Sequence, residues 1–254
     1  MPVKALITGA SSGLGRDMAR ALARRGWSLI LVARRADRLE ELARELDVPV
    51  TVLPMDLTAP GACRVLYEQV REEGVDLLVN NAGRGVYGPF LETDLDAEQS
   101  MLELNMMALH TLMKLFLRDF TARGSGRVLN VASSAAFLPG PLLASYYASK
   151  AYVLRLSQGV REELRRAGSP VTVSVLCPGP VETEFDRVAG ANLNAGGLSS
   201  ARVAEFAIAG TLRGRELLIP GGLMRAVKLG VRFLPDRLAA RICWSLQARK
   251  GERR

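Results

Sequence analysis

Short apolar runs and amphipathic stretches alternate along most of the chain. Val3–Ile7, Leu29–Ala33, Val50–Leu53, Asp76–Asn80, Arg127–Ala132, Val171–Cys177 and Glu216–Pro220 read as strands. Each is short and almost continuously apolar, as a strand covered on both faces must be. Between them, Gly13–Arg25 carries Leu14, Met18, Ala21 and Leu22 at helical spacing, and Leu39, Leu42 and Leu46 mark one face of the next helix. Longer helical segments are expected near 96–122, 145–167 and 201–212, and Pro60 is expected just inside the start of the third helix, where its missing N–H costs nothing. Seven strands interleaved with helices predict an α/β fold with a parallel sheet covered on both sides. No repeat, low-complexity tract or flexible linker divides the chain, so residues 1–254 read as one domain with an extension from about 222.

Composition narrows the class. The chain is 48% hydrophobic and 24% charged, as in an ordinary globular protein. Cys63, Cys177 and Cys243 lack paired or metal-type spacing, which suits a reducing compartment and predicts no metal site. The N-terminal apolar stretch is too short for a signal peptide and no run of 18 apolar residues occurs, so a cytoplasmic location is expected. The net charge of +8 is concentrated: from Leu223 onward there are nine Lys and Arg against two acids, leaving the remainder close to neutral. Nucleic-acid binding spreads basic charge over a recognition surface, and none is expected here.

The chemistry begins between the first strand and the first helix, at Thr8-Gly9-Ala10-Ser11-Ser12-Gly13-Leu14-Gly15. Glycines at such a turn let backbone approach a ligand, and the helix N-terminus behind them offers free N–H donors to a pyrophosphate. The spacing is G-x-x-x-G-x-G rather than the commoner G-x-G-x-x-G. The second strand ends at Ala33, where an NAD site usually places an acid, and Arg34 and Arg35 follow. Arg34 is the candidate for a cofactor 2′-phosphate, with Ser11 a hydroxyl donor, because guanidinium and phosphate bond bidentately. Arg35 reads as a solvated charge. Asp56, with Leu57 beside it, either accepts from an adenine amino group or caps the following helix.

Six motifs then fall in a fixed order: the Thr8–Gly15 loop, Asn80-Asn81-Ala82-Gly83, Asn105, Ser133, Tyr146-x-x-x-Lys150 and Pro178-Gly179-x-Val181-x-Thr183. In these the chain resembles the short-chain dehydrogenase/reductase family, from Val3 to about Pro220. The resemblance implies a Rossmann-like three-layer α/β/α sandwich with a seven-stranded parallel sheet, a nicotinamide cofactor (NADP(H), given the arginines) and a homodimer or homotetramer.

Tyr146 and Lys150 stand four apart on a predicted helix and share a face. A free tyrosine titrates near 10, and a nearby ammonium with a positive nicotinamide ring is expected to lower that value. Tyr146 would protonate a carbonyl oxygen while Ser133 hydrogen-bonds it. Ser133, thirteen before Tyr146, fits the family spacing better than Ser134, and only Tyr146, not Tyr147, stands four before Lys150. By resemblance, Lys150 also binds the nicotinamide ribose, Asn105 organises a proton relay, and Thr183 bonds the carboxamide. Asn81, Ala82 and Gly83 either brace the sheet or touch cofactor. His110 is expected to be a packed helix residue.

Phe137, Leu138, Pro139, Leu142, Leu143, Pro180, Val181 and Phe185, with the small-residue run Ala189–Gly197 as a lid, predict an apolar aldehyde, ketone or alcohol as substrate. Met224, Val227, Val231 and Leu234, then Leu238, Ile242 and Leu246, follow helical spacing, with arginines between. These tail helices are expected to close over the pocket or a subunit contact. The lesser alternative is that residues 223–249 lie on an anionic membrane surface. Two other functions stay open: a nucleotide-binding sensor without turnover, and an NAD-linked alcohol dehydrogenase.

Overall fold

The computed structural model describes residues 3–182 and 197–251, without the side chains of 249–251. Seven parallel strands form the central sheet: β1 (Lys4–Thr8), β2 (Ser28–Ala33), β3 (Val50–Pro54), β4 (Leu77–Asn80), β5 (Arg127–Val131), β6 (Thr172–Leu176) and β9 (Leu217–Leu218). Their order is β3-β2-β1-β4-β5-β6-β9. β7 (Val181–Glu182) and β8 (Leu198–Ser199) make a separate parallel ribbon that no apolar run announced.

Alternation within the strands sorts their side chains into two cores. Leu6, Ile30, Leu78 and Val128 face one side, where they meet Leu66 of α3 (Ala62–Val70), Phe116 and Phe120 of α5 (Leu109–Arg123) and Val153 of α6 (Ala144–Arg166). Ala5, Ile7, Leu29, Leu31, Leu77 and Val79 face the other, against α1 (Gly13–Ala23), α2 (Ala36–Glu45) and α7 (Ser200–Leu212). The fold is therefore the expected three-layer α/β/α sandwich. Two expectations need correction. α3 begins at Ala62 behind the left-handed Gly61 (φ 77°), so Pro60 precedes the helix rather than opening it. The long helix is interrupted: α4 (Leu95–Leu102) passes into a π-helical segment, Glu103–Ala108, before α5. That segment carries Asn105.

Strand order reverses at β1, which has β2 on one side and β4 on the other. Chains leaving the carboxyl ends of these strands diverge to opposite faces and open a crevice, the usual ligand site of such sheets.

Candidate active site

The crevice is a cleft of about 350 Å³ that runs from the β1–α1 loop to Tyr146 and Lys150. Its near wall is the glycine loop. Gly9 and Gly13 have φ of 67° and 52°, and a Cβ on Gly15 would stand 2.3 Å from the Gly9 carbonyl oxygen. Gly15 thus lies behind the wall and lets α1 start close under it, while Ser11, Ser12, Gly13 and Leu14 line the cleft. The Asn81 segment braces the phosphate loop and also lines the cleft. Asn81 Nδ2 donates to the carbonyl oxygens of Thr8 (2.9 Å) and Gly9 (3.2 Å), and the amides of Asn81 and Ala82 donate to Thr8 Oγ1. These bonds fix the loop, and Asn81, Ala82 and Gly83 also form cleft wall.

At the outer end both arginines line the cleft, and it is Arg35 that departs from expectation. Arg35 turns inward and donates to Ser11 Oγ from Nε (3.3 Å) and Nη2 (3.1 Å). It is not simply a solvated charge. Arg34 stays 64% exposed, with Nη1 3.9 Å from Asp56 Oδ2. Asp56 Oδ1 accepts from the Thr58 amide (3.0 Å) and hydroxyl (2.7 Å). Those bonds and the neighbouring guanidinium hold its carboxyl below the ordinary range despite partial burial. Asp56 therefore closes a local turn instead of capping α3, and both it and Leu57 line the cleft. Arg84, Met55 and Thr58 also line it, and none was singled out from sequence. Arg84 directly follows the Asn-Asn-Ala-Gly segment, which was the available signal. Burial and nearby Arg34 lower its affinity for a proton, and it donates to Ser100 Oγ.

At the inner end, β5 delivers Ser133 and α6 delivers Tyr146 and Lys150. Ser133 stands close enough to the Tyr146 phenol to favour its ionised form, and its Oγ accepts from the Ala135 amide at 3.1 Å. Lys150 Nζ donates to the Val131 carbonyl at 3.0 Å and stands 5.8 Å from the Tyr146 ring centroid. Asn105 is brought against Gly83, where a Cβ would meet Asn105 Oδ1 at 3.0 Å and Lys150 Nζ at 3.2 Å. It bonds Arg84 in both directions and donates to Ser149 Oγ at 3.1 Å. Fully buried, it stands behind the cleft wall and fixes the Gly83 turn from its π-helical segment. Such segments mark functional sites because the extra residue redirects a side chain.

The expected lowering of Tyr146 by Lys150 is not what the protein alone produces. Burial pushes the Tyr146 hydroxyl up, only partly opposed by nearby Ser133, and pushes Lys150 down to about 8. A dry pocket disfavours charge on both groups.

Pro178, Gly179 and Val181 line the far wall. Thr183 and Phe185, with almost all of the Ala189–Gly197 run, lie outside the described residues. Of the proposed 135–145 lining, Leu143 packs with Tyr87, Tyr146 and Tyr147, and Leu142 is held at φ 64°. The tail helices are α8 (Gly222–Val231) and α9 (Asp236–Gly251). Met224 of α8 sits where a Gly179 Cβ would meet its Cγ at 2.8 Å. On α9, Gln247 Nε2 donates to Tyr147 Oη (2.6 Å), and Tyr87 Oη donates to the Gln247 carbonyl (3.0 Å). The inward stripe of α9 is Ala239, Cys243 and Gln247, however, and Leu238, Ile242 and Leu246 face out. Those three residues therefore do not close over the pocket of their own chain.

His110 Nδ1 lies 2.6 Å from Tyr152 Oη, away from the cleft. The cysteines are buried and free, and no metal-type cluster occurs among the described residues.

A family model described as short chain dehydrogenase matches residues 3–194. The chain belongs to the short-chain dehydrogenase/reductase family. The human "Dehydrogenase/reductase SDR family member 7" is 34% identical over 188 residues, 70% of this chain and 55% of that protein. The chain thus spans little more than half of that relative. A short-chain dehydrogenase from Sphingobium yanoikuyae, solved in complex with NADPH, superposes with a TM-score of 0.81 at 31% identity, over 93% of this chain and 100% of that one. A family member from Burkholderia phymatum solved with NAD shares the fold, with a TM-score of 0.82 at 24% identity over 90% and 92% of the two chains.

Proposed function

We propose that this dehydrogenase-family chain is an NADP(H)-dependent oxidoreductase that moves a hydride between nicotinamide and an apolar aldehyde, ketone or corresponding alcohol. One observation carries the reading: a single cleft brings together Ser133, Tyr146 and Lys150, whose Nζ stands 5.8 Å from the Tyr146 ring centroid, with a guanidinium hydrogen-bonded across the phosphate loop. The donor set fits the cofactor. Backbone amides at Ser12–Leu14 suit a pyrophosphate, Arg35 and Ser11 with Arg34 suit a 2′-phosphate, and Lys150 suits a ribose. Bound nicotinamide supplies or receives the hydride.

The rest falls to side chains of this chain. Tyr146 presents its O–H to the substrate oxygen, and a hydroxyl held protonated by its dry surroundings is the form that reduction consumes. Ser133 donates to the same oxygen and holds it where negative charge develops. Lys150, anchored on the Val131 carbonyl, keeps an ammonium beside the phenol so that the resulting phenolate is paired. Leu143 and Tyr147 pack beside Tyr146, and Met224 against Gly179, so the surroundings of this end are apolar, which supports an apolar substrate.

The test is NADPH oxidation against a panel of aliphatic and aromatic aldehydes and ketones, run in parallel with NADH and with Tyr146→Phe. Turnover that favours NADPH and falls by about 10²–10⁴ in the mutant is expected, the usual contribution of a positioned acid. Equal use of NADH would overturn the cofactor reading, a polyol preferred to every apolar carbonyl would overturn the substrate reading, and tight NADPH binding with no turnover would favour a sensor.

A further inference from the structure

The two tail helices expose apolar and basic surface that no described part of the chain covers. On α8 and the turn after it, Leu223 is 74% and Phe233 83% exposed, and Leu229 is also open. On α9, Leu238, Ile242 and Leu246 stand about 100° round the helix from the inward stripe, with Arg237 and Arg241 about as far again. Trp244 is 53% exposed on the other flank. The neighbouring loop, tied to α9 by the Tyr87–Gln247 bond, ends in exposed Phe90 and Leu91. A soluble protein normally keeps its large apolar side chains inward, and a contiguous outward set marks an interface. Here α9 turns alanine, cysteine and glutamine to the protein and leucine and isoleucine away from it.

From this inverted arrangement we infer that α8 and α9 form a peripheral binding surface for an anionic lipid bilayer. Charge decides the occupant. Residues 222–248 carry Arg225, Lys228, Arg232, Arg237 and Arg241 against Asp236 alone, and Arg249 and Lys250 extend the run. In a self-complementary contact between two copies this patch would face itself, cation against cation. Lipid phosphates supply the opposite charge, and leucine and phenylalanine beside arginine suit the headgroup–acyl boundary. No described helix is long and apolar enough to cross a membrane, so the contact is with the surface. Because α8 and α9 also touch Gly179 and Tyr147, an apolar substrate could pass from bilayer to cleft; that route rests on the functional reading above, whereas the surface does not.

The test is co-sedimentation of the full chain with phosphatidylglycerol-containing vesicles and with pure phosphatidylcholine vesicles. Binding to the anionic vesicles at low salt, weakened at least tenfold at about 0.5 M salt, is expected, with none to neutral vesicles. Arg232→Gln with Arg241→Gln should lower the partition about 25-fold, at about fivefold per cation near the surface. Phe233→Ser with Ile242→Ser should abolish it. Unchanged NADPH-dependent thermal shifts in both pairs would show that folding and the cleft are intact. Equal binding to neutral vesicles, or none to either, overturns the inference. Self-association dissolved by Phe233→Ser with Ile242→Ser, without vesicle binding, would assign the surface to a second copy instead.

Discussion

Burial opposes ionisation of both groups proposed as catalytic, Tyr146 and Lys150. Lys150 falls to about 8 because burial disfavours its charge. A base whose folded value lies below its unfolded value near 10.5 binds fewer protons folded than unfolded in between, so its contribution to stability rises with pH from about 8 to about 10.5. At about 1.4 kcal/mol per unit the whole rise is at most about 3 kcal/mol. Lys150→Met should therefore be more stable than the parent at pH 7, and the difference should shrink as pH climbs through that window. Denaturant melts of both proteins at pH 7, 8.5 and 10 would show it, and a constant difference would refute a depressed lysine. Other residues that titrate above pH 9 act equally in both proteins and cancel. The arginines show what sequence cannot resolve at this scale. That a guanidinium follows β2 was plain, but which of two adjacent ones turns inward depends on the chain's path into α2, where Arg35 sits at φ −88°, ψ 94°. Arg35→Ala should cost NADPH about 10–100-fold in affinity, the range of a charge-assisted hydrogen bond, and leave NADH nearly unchanged. Arg34→Ala, at an exposed site, should cost less.

Elements were legible wherever one periodicity ran long enough. Buried parallel strands announce themselves as apolar runs, and all seven were readable. Two features left no trace in the pattern. The β7–β8 ribbon pairs only two residues on each side. The π-helical segment shifts hydrogen bonds by one residue while leaving the same apolar residues on the helix, so Glu103–Ala108 looks like ordinary helix. The tail misled differently: spacing identified its helices, but spacing does not say which stripe faces in, and Ala239, Cys243 and Gln247 took the inner side. The docking of α9 has a steric partner in Gly140, where a Cβ would fall 2.1 Å from the Tyr147 ring. Gly140→Ala must push that ring, and with it Gln247, aside. Overpacking of this kind costs about 1–3 kcal/mol, and the measurable result should be a lower melting temperature with weaker substrate binding and unchanged NADPH affinity. Loss of NADPH affinity would mean that the tail also shapes the cofactor end.

Across the molecule, the cleft is made by both halves of one sheet: β1 and β2 supply the loop and the arginines, β5, α6 and the β6 terminus the catalytic end. A ligand lying along it would bridge residues from Gly9 to Val181, so its binding free energy should stabilise the whole sheet rather than one lobe. We therefore expect thermal unfolding in a single transition, raised by NADPH. At a concentration 100 times its dissociation constant the ligand adds about 2.7 kcal/mol, which for a chain of this size is about 5–10 °C. On the proposed cofactor reading, NADH at the same concentration should raise it less, because it lacks the 2′-phosphate assigned there to Arg35 and Ser11, and Arg35→Ala should bring the two shifts together. Calorimetry of the parent and that variant with each nucleotide decides the matter. Two separated transitions, only one of them moved by NADPH, would mean that the chain holds two independently folding units and that the cofactor site belongs to one of them.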